Sequence, residues 1–283
     1  MKLASYEYAG KPSYGVVKDG HLIDLGARLA TSGHKTLRQL LTNSGLDTAR
    51  EIAGSASPDI PLSDVTLLPV IPDPDKIICV GMNYHDHVAE IGRAVTAKPA
   101  LFARFAGSQV GHLRPMIKPA VSEEFDYEGE LAVVIGRGGR HIKEDDALRH
   151  VAGYACYNEG SIRDWQRHTS QFLAGKTFAA TGAFGPWLVT ADEISDPATL
   201  TLETRLNGQR VQHTTTDKLI TSVPALIAYC STIIPLLAGD VIVTGTPGGV
   251  GLKRTPPLFM KPGDTVEVEI SGIGVLRNPV VGE

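Results

Sequence analysis

A predicted β-strand that begins with two like charges constrains this 283-residue chain more than any other feature. In "DYEGELAVVIG", residues 126–136, the last six residues have the pattern of a buried strand. Side chains alternate along a strand, so Glu128 and Glu130 share one face. Facing a cleft, both can stay ionised only if a cation lies between them; otherwise a proton must neutralise one. If the two carboxylates face water instead, their repulsion costs little free energy. The rest of the sequence must therefore show whether they face a cleft or solvent.

The composition is that of an ordinary globular protein. Hydrophobic residues make up 42% of the chain and the formal net charge is −4, so no global field attracts nucleic acid or an anionic membrane. The first ten residues contain no apolar targeting segment, and no apolar run is long enough to span a membrane. Cys79, Cys156 and Cys230 have apolar neighbours, as buried reduced thiols do. We therefore expect a cytoplasmic location.

The order of the elements predicts an α+β fold that is rich in strands. A stiff, proline-rich segment, "LLPVIPDPDK" at 67–76, suggests a domain boundary near residue 70. We therefore expect a small N-terminal domain at 1–70 and a catalytic domain at 71–283.

Local patterns predict individual elements within these two parts. A hairpin is expected at 14–26, and a helix at 35–45 that is closed by Gly45. A longer helix should begin at Ser222 as its N-cap, with Pro224 in the first turn. Further strands are expected at 76–81, 131–136, 151–157, 184–190, 200–207, 240–245, 264–270 and 274–278.

Two glycine-rich segments suggest nucleotide sites that their details do not support. In "VIGRGGRH" the third glycine of a dinucleotide fingerprint is replaced by His141, which favours a simple turn. The segment "GTPGGVGLK" at 245–253 lacks the Gly-Lys-Ser/Thr ending of a phosphate loop. Its backbone N–H groups could hold an anion such as a carboxylate, and a plain tight turn is equally compatible with the pattern.

The segment "GMNYHDHVAE" at 81–90 allows more than one interpretation. His85, His87 and Glu90 approximate the metal cluster of cupins, although cupins have more residues between the second histidine and the glutamate. On a helix the same spacing brings His87 and Glu90 together, so that the carboxylate could orient an imidazole acting as general base. Taken alone, the stretch is better explained as surface polar residues at a helix start.

A third carboxylate follows another predicted strand. Glu159, in "CYNEGSIRDWQRHTSQF" at 156–172, could complete a site with Glu128 and Glu130. Oxygen ligands alone favour Mg²⁺ or Mn²⁺ over zinc, with Ca²⁺ as a further candidate. Lys176 lies between small residues in "AGKTF" and could stabilise a developing anion, although an isolated lysine is usually solvated.

Over about residues 70–283 the sequence closely resembles the fumarylacetoacetate hydrolase family. The likeness rests on five segments in this order: "GMNYHDHVAE", "DYEGELAVVIG", "GYACYNEGSIRDWQ", "GKTF" and "GDVIVTGTPGGVG". The resemblance implies a twisted β-roll fold, a Mg²⁺ or Mn²⁺ ion on three carboxylates, and a homodimer.

The resemblance also implies roles for individual residues. The family normally has an aspartate in "NDxSxRDxQ", where this chain has Glu159 in "NEGSIRDWQ". This extra methylene could alter the metal preference. The expected residues are, for the metal, Glu128, Glu130 and Glu159; for catalysis, His87, Glu90 and Lys176; and for the substrate, Gln166, Thr246, Arg163 and Tyr84.

The activity implied by the resemblance is hydrolysis of a C–C bond in a 2,4-diketo acid, an acylpyruvate such as fumarylpyruvate, to pyruvate and a carboxylic acid. His87, oriented by Glu90, would activate water, and Lys176 would help to stabilise the pyruvate enolate. Family relatives that decarboxylate 2-oxo acids or isomerise 2-hydroxyhepta-2,4-diene-1,7-dioate provide an alternative. A cupin-like redox metalloprotein and a non-catalytic binding module stay open as more distant alternatives. The expected partner is a small 2-oxo acid, with no nucleic acid and no membrane.

Overall fold

The computed structural model describes residues 1–41 and 45–283 and confirms an α+β fold dominated by strands. The strands in these residues are β1 (Lys2–Tyr8), β2 (Lys11–Lys18), β3 (His21–Asp24), β4 (Ile60–Pro61), β5 (Thr66–Leu67), β6 (Ile77–Gly81), β7 (Ala100–Arg104), β8 (Gln109–Val110), β9 (Met116–Lys118), β10 (Phe125–Asp126), β11 (Gly129–Ile135), β12 (Val151–Asn158), β13 (Ser161–Ile162), β14 (Gly182–Thr190), β15 (Thr201–Leu206), β16 (Gln209–Thr215), β17 (Val241–Val243), β18 (Thr265–Ile270) and β19 (Gly274–Gly282). The α-helices are α1 (Leu25–Arg28), α2 (Leu37–Leu40), α3 (Gly45–Ser55), α4 (His85–Glu90), α5 (Arg163–Gln166), α6 (Leu173–Lys176) and α7 (Val223–Ile233). None of these helices has the length and apolar character needed to cross a membrane.

One large mixed sheet organises the molecule. Its hydrogen-bonded order is β4-β3-β2-β1-β14-β12-β11-β17-β6-β7, with β5 beside β1 and β8 beside β14. A second sheet has the order β16-β15-β18-β19-β9, and β10 pairs with β13 in a short ribbon. Strands β11 and β12, whose ends carry the three predicted metal ligands, therefore lie in the interior of the large sheet.

Strand β11 is buried on both faces, which explains its unbroken apolar run. Leu131, Val133 and Ile135 pack in one core cluster together with residues of the second sheet. Ala132 and Val134 pack in another cluster together with residues of the N-terminal strands. The strand therefore joins two cores and fixes the position of the carboxylates at its beginning.

The N-terminal strands extend the large sheet. Strand β1 pairs antiparallel with β14, with Lys2 opposite Val189 and Leu3 opposite Leu188. Leu3 also belongs to the same core cluster as Ala132 of β11. Sheet and core are continuous across residue 70, and the expected division into a small N-terminal domain at 1–70 and a catalytic domain at 71–283 stays a prediction.

The structure reproduces most of the predicted elements and corrects one. The hairpin is present as β2 and β3, and α7 begins after Ser222, whose side-chain oxygen accepts a hydrogen bond from the Ala225 N–H. The helix expected at 35–45 is shorter, because α2 ends at Leu40, and residues 42–44 lie outside the described residues. Gly45 begins α3 instead of closing α2. A Cβ there would lie 2.0 Å from the Leu40 carbonyl oxygen, so close approach of the backbone explains this glycine.

Candidate metal centre

Three carboxylates converge where β11 begins and β12 ends. The two strands are antiparallel, with Gly129 opposite Asn158, and the Glu159 N–H donates to the Glu128 carbonyl oxygen at 2.8 Å. Each of Glu128, Glu130 and Glu159 offers an oxygen within 4.8 Å of the others. Their side chains are buried, with exposures of 4%, 1% and 1%. The structure therefore brings together the three residues expected to bind a metal, whose role as ligands stays a prediction.

Two buried cationic side chains contact this cluster, which we call the acidic cluster. Lys176 Nζ donates to Glu128 Oε2 at 2.6 Å and to Glu159 Oε2 at 2.9 Å. Arg163 Nη1 lies 2.7 Å from Glu128 Oε1. Glu130 Oε2 instead accepts a hydrogen bond from the Gly245 N–H at 2.6 Å. Glu130 is thus the member of the cluster that neither cationic side chain contacts directly.

This difference in partners gives opposite pKa shifts to neighbouring carboxyl groups. Burial raises the pKa of Glu128, but the positive charges of Arg163 and Lys176 outweigh it, and the net pKa is lowered. Burial, followed by the negative charges of Glu159 and Glu128, raises the pKa of Glu130 well above its usual value. A further positive charge beside Glu130 would stabilise its ionised form.

An unpaired oxygen of Glu159 also indicates that the cluster suits a cation. Glu159 Oε1 is buried and accepts no hydrogen bond from a nitrogen or oxygen donor in residues 1–41 and 45–283, and the buried Cys79 thiol beside this carboxylate is only a weak donor. A buried acceptor without a partner costs roughly 1–3 kcal/mol. Three carboxylates form a ligand set of hard oxygen donors, which suits Mg²⁺ or Mn²⁺. The residues present therefore fit a hard divalent cation.

His87 and Glu90 lie about one turn apart on α4. His87 Nδ1 lies 3.4 Å from Glu90 Oε2, and Glu90 Oε1 accepts a hydrogen bond from the Gly249 N–H at 3.0 Å. Glu90 can therefore orient the imidazole and also ties α4 to the glycine-rich segment. His85 is exposed and lies outside the acidic cluster. The geometry agrees with a helical dyad and gives no support to a cupin-like ligand set.

The glycine-rich segment at 245–253 binds carboxylates of the chain itself. The N–H groups of Gly245, Gly249 and Gly251 donate to Glu130, Glu90 and Asp126, respectively. A Cβ on Gly251 would lie 2.0 Å from the carbonyl oxygen of Leu258 and 2.5 Å from Asp126 Oδ1, so this position requires glycine. The segment thereby positions the acidic cluster and the His87–Glu90 dyad relative to each other.

A cavity of about 430 Å³ contains most of the predicted site residues. The acidic cluster, His87 and Lys176 line it, as do three of the residues expected to contact substrate: Gln166, Thr246 and Arg163. Tyr84 is fully buried and does not line this cavity. Its contact with substrate stays a prediction that the cavity does not support.

Two residues of the site were missed by the sequence analysis. Asp126 is fully buried and accepts a hydrogen bond from Arg163 Nε at 2.8 Å. It also accepts hydrogen bonds from two backbone N–H groups of the glycine-rich segment. It precedes Glu128 by two residues, so strand alternation could have identified it. Gln212 accepts from the Gly129 N–H at 2.9 Å and donates to the Thr246 hydroxyl at 2.8 Å. Gln212 lies on distant β16, and no local pattern indicates its role.

The backbone that follows Glu159 is held tightly. The Gly160 carbonyl oxygen accepts a hydrogen bond from Arg104 Nη1 at 2.8 Å, and a Cβ on Gly160 would lie 1.9 Å from the Thr181 carbonyl oxygen. Gly160 is therefore required by close packing. The backbone of Glu159 is held on both sides, since its own N–H donates to the Glu128 carbonyl oxygen.

Comparison with known proteins agrees with this fold. Residues 76–281 match the family model described as fumarylacetoacetate (FAA) hydrolase C-terminal. The chain is 43% identical over 289 residues to the mitochondrial oxaloacetate tautomerase fahd2 of Xenopus laevis, covering 99% of this chain and 90% of that protein. It is 45% identical over 251 residues to the mitochondrial oxaloacetate tautomerase FAHD2A of Homo sapiens, covering 87% of this chain and 80% of that protein.

Two solved structures extend the comparison to the fold. A fumarylacetoacetate hydrolase from Exiguobacterium antarcticum has a TM-score of 0.82 and 36% identity, with 100% of both chains covered. A maleylpyruvate hydrolase from Sphingobium sp. SYK-6, in complex with manganese (II) ion and pyruvate, has a TM-score of 0.83 and 30% identity, covering 100% of this chain and 99% of that chain. The fold expected from the resemblance is thereby confirmed.

Proposed function

The chain belongs to the fumarylacetoacetate hydrolase family, and from this premise we propose that it is a metal-dependent enzyme that interconverts the enol and keto forms of a small 2-oxo dicarboxylic acid such as oxaloacetate. The observation that carries the proposal is the shared cavity in which the acidic cluster lies with His87 and Lys176. The oxaloacetate tautomerases that are 43% and 45% identical to this chain support the choice of reaction.

Glu128, Glu130 and Glu159 would hold Mg²⁺ or Mn²⁺. When bound, such an ion supplies Lewis-acid chemistry that favours the enolate form of a 2-oxo acid. Lys176 adds a fixed positive charge, because two carboxylates of the acidic cluster hold its ammonium group. A preorganised charge of this kind stabilises negative charge that develops on the substrate.

His87 would move the proton. Tautomerisation of the enol removes a proton from the C2 hydroxyl oxygen and delivers one to C3, so that the double bond moves from C2–C3 to C2–O. With Nδ1 facing Glu90, the second ring nitrogen of His87 is the atom left to exchange protons with the substrate. Glu90 keeps the ring in one orientation through both transfers.

Hydrolysis of an acylpyruvate is the second candidate, and the His87–Glu90 dyad favours it. The same imidazole would take a proton from water, and the resulting hydroxide would add to the C4 carbonyl before the C3–C4 bond breaks. The manganese and pyruvate complex of the maleylpyruvate hydrolase supports this candidate. Decarboxylation of a 2-oxo acid and isomerisation of a 2-hydroxydienoate would need the same enolate stabilisation. The experiment therefore measures these two reactions as well.

The test compares these reactions on one preparation of the protein. We expect the protein with Mn²⁺ or Mg²⁺ to accelerate the loss of the ultraviolet absorbance of enol-oxaloacetate, and a chelator to abolish the effect. Pyruvate release from a panel of acylpyruvates and from oxaloacetate measures hydrolysis and decarboxylation in parallel, and the absorbance of a 2-hydroxydienoate measures isomerisation. The proposal would be contradicted if the wild-type protein tautomerised oxaloacetate no faster than the His87→Ala variant does. Efficient acylpyruvate cleavage without tautomerisation would establish the second candidate.

We also propose that the enzyme is a homodimer. Phe105, Ile233 and Ile234 are 59%, 57% and 41% exposed and line one apolar groove beside the edge strand β7. Exposed apolar patches next to a sheet edge are typical of subunit interfaces. Sedimentation velocity should show a dimer that Phe105→Ser shifts towards monomer, and a monomeric wild-type protein would contradict the proposal.

A further inference from the structure

We propose that Arg93 and Lys253 bind the distal carboxylate of the substrate and thereby select dicarboxylic over monocarboxylic 2-oxo acids. The inference rests on the proposed function for the class of substrate, and it does not depend on which reaction follows binding. It assigns a role to two residues that the metal centre and the proton transfer do not use.

Arg93 and Lys253 are exposed side chains that line the same cavity as the buried acidic cluster. They therefore lie at its open end. Neither side chain forms an ion pair with any residue in the part of the chain that the structure describes. Arg167 also lines this cavity, but its Nη2 is 2.7 Å from Glu124 Oε2. The open end of the cavity therefore has two cations without an internal partner and one that is already paired.

The charges deeper in the cavity explain why a second carboxylate needs these cations. The three carboxylates of the acidic cluster, the Lys176 ammonium and a divalent ion sum to zero. Arg163 adds a positive charge, but Asp126 accepts a hydrogen bond from its Nε at 2.8 Å and balances it. The carboxylate at C1 of a 2-oxo acid already brings one negative charge to this region. A distal carboxylate would therefore be repelled unless further positive charge lies nearby.

The other polar side chains that line the cavity, Gln166, Thr169, Ser170 and Thr246, are neutral, so they offer a carboxylate hydrogen bonds but no positive charge. Ile91, Phe102 and Phe172 contribute apolar surface. Among the described lining residues, the other charged side chains belong to the acidic cluster, contact it, or are paired as Arg167 is. A methyl group could rest on the apolar surface, whereas a carboxylate gains most from Arg93 and Lys253.

Hydrogen bonds hold the backbones of both cations in place relative to the metal centre. Arg93 follows α4, which Glu90 ties to the Gly249 N–H at 3.0 Å. Asp126 accepts hydrogen bonds from the two backbone N–H groups immediately before Lys253, at 2.8 and 3.0 Å. The two backbones are thus fixed, while the long side chains are free to reach a ligand. Residues far apart in sequence can in this way form one carboxylate subsite.

The test measures equilibrium binding to the Mn²⁺-loaded full-length protein by calorimetry. Oxaloacetate and 2-oxobutyrate are matched ligands, because a methyl group in 2-oxobutyrate replaces the distal carboxylate. Two ion pairs at an exposed site correspond to about a tenfold change in affinity. We expect the double variant Arg93→Gln/Lys253→Gln to lose about tenfold in affinity for oxaloacetate and to bind 2-oxobutyrate as the wild type does. Arg167→Gln, which removes the paired cation, is the matched control and should change neither affinity.

Two outcomes would overturn the inference. One is an unchanged oxaloacetate affinity in the double variant, and the other is an equal loss for both ligands, which would indicate a general change in the cavity. Oxaloacetate is titrated after it has reached keto–enol equilibrium, so tautomerisation adds no net heat, and the measured affinity separates this inference from the proposed reaction. If the wild type prefers oxaloacetate in this way but does not tautomerise it, the reaction is wrong and the carboxylate subsite stands. If it tautomerises oxaloacetate and the double variant keeps the wild-type KM, the subsite is wrong and the reaction stands.

Discussion

At the scale of single residues, the geometry around His87 agrees with the proposal that this residue transfers protons and does not bind the metal. Its imidazole faces Glu90 on the same helix, and the acidic cluster contains no histidine among the described residues. A general base or acid contributes roughly 10²–10⁴ in rate. We therefore expect His87→Ala to lose about that much in turnover while its Mn²⁺ affinity stays unchanged.

His85→Ala is the control for this experiment, because His85 is exposed on the same helix and should be dispensable. Turnover by stopped-flow absorbance and Mn²⁺ affinity by calorimetry measure the two effects separately. Loss of metal binding in His87→Ala would contradict the role given to His87 and revive a histidine-ligated site.

Glu159 is the residue at which this chain departs from the usual family motif, and the structure makes its length testable. Its backbone is bonded to Glu128 on one side and followed by the tightly packed Gly160 on the other. Glu159→Asp shortens the side chain by one methylene, about 1.5 Å, and the fixed backbone cannot follow. We expect Mn²⁺ affinity to fall, and Mg²⁺ affinity to fall further because Mg²⁺ demands stricter octahedral geometry.

Metal titrations of the wild type and Glu159→Asp, each paired with a turnover assay, check this prediction. Tighter metal binding or faster turnover in Glu159→Asp would contradict it. The glutamate would then be a replacement that weakens an otherwise standard site.

At the scale of elements, His112 links a loop to β19. The Arg277 N–H in β19 donates to His112 Nδ1 at 3.0 Å. Burial, and then the charge of Arg277, lower the pKa of His112 from 6.5 to about 4. Between these two values the unfolded chain binds the proton more strongly than the folded one. The stability that this group contributes above its unfolded pKa is therefore lost as the pH falls through the folded value.

The matched variant is His112→Asn, whose side-chain oxygen can accept the same hydrogen bond but does not titrate. We expect the melting temperature to fall more in the wild type than in His112→Asn when the pH is lowered from about 7 to about 5. Thermal unfolding followed by circular dichroism at several pH values checks this. An equal fall in melting temperature in both proteins would contradict the role given to His112 in the pH dependence of stability.

Elements with a clear apolar pattern could be predicted from the sequence, and their pairing could not. The strand expected at 151–157 is observed as β12, Val151–Asn158, because its residues are buried throughout. Strand β16, Gln209–Thr215, was missed because polar side chains occupy most of it and its burial depends on neighbouring strands. The same limit applies to Gln212 on β16, since only the tertiary fold brings it to Thr246. Spacing along the chain identified the three carboxylates that the fold brings together, whereas hydrogen bonds between distant strands leave no local pattern in the sequence.

At the scale of the whole molecule, the shared sheet and core predict that the chain unfolds as one unit. Strand β1 pairs with β14, and Leu3 packs in the same cluster as Ala132 of β11. We expect a single transition in scanning calorimetry, with equal calorimetric and van't Hoff enthalpies for each folded unit. Leu3→Ala removes a fully buried side chain. It should lower the midpoint temperature of this single transition, because the free energy of unfolding falls by roughly 2–5 kcal/mol.

Two separate transitions, of which Leu3→Ala moves only one, would contradict this expectation. Such a result would instead support residues 1–70 as an independent domain. The proline-rich segment near residue 70 would then be a true linker and not only a stiff connection within one folded unit.

The central claim is that Glu128, Glu130 and Glu159 together hold one divalent cation, and a calorimetric titration of the whole protein with Mn²⁺ tests it most directly. Glu130→Gln removes the charge that most needs a nearby cation but keeps an oxygen to accept the Gly245 N–H. We predict one Mn²⁺ per chain in the wild type and an affinity lower by about tenfold or more in Glu130→Gln. Glu123→Gln, at a carboxylate that is 87% exposed, should bind Mn²⁺ as the wild type does. Unchanged Mn²⁺ affinity in Glu130→Gln would contradict the claim.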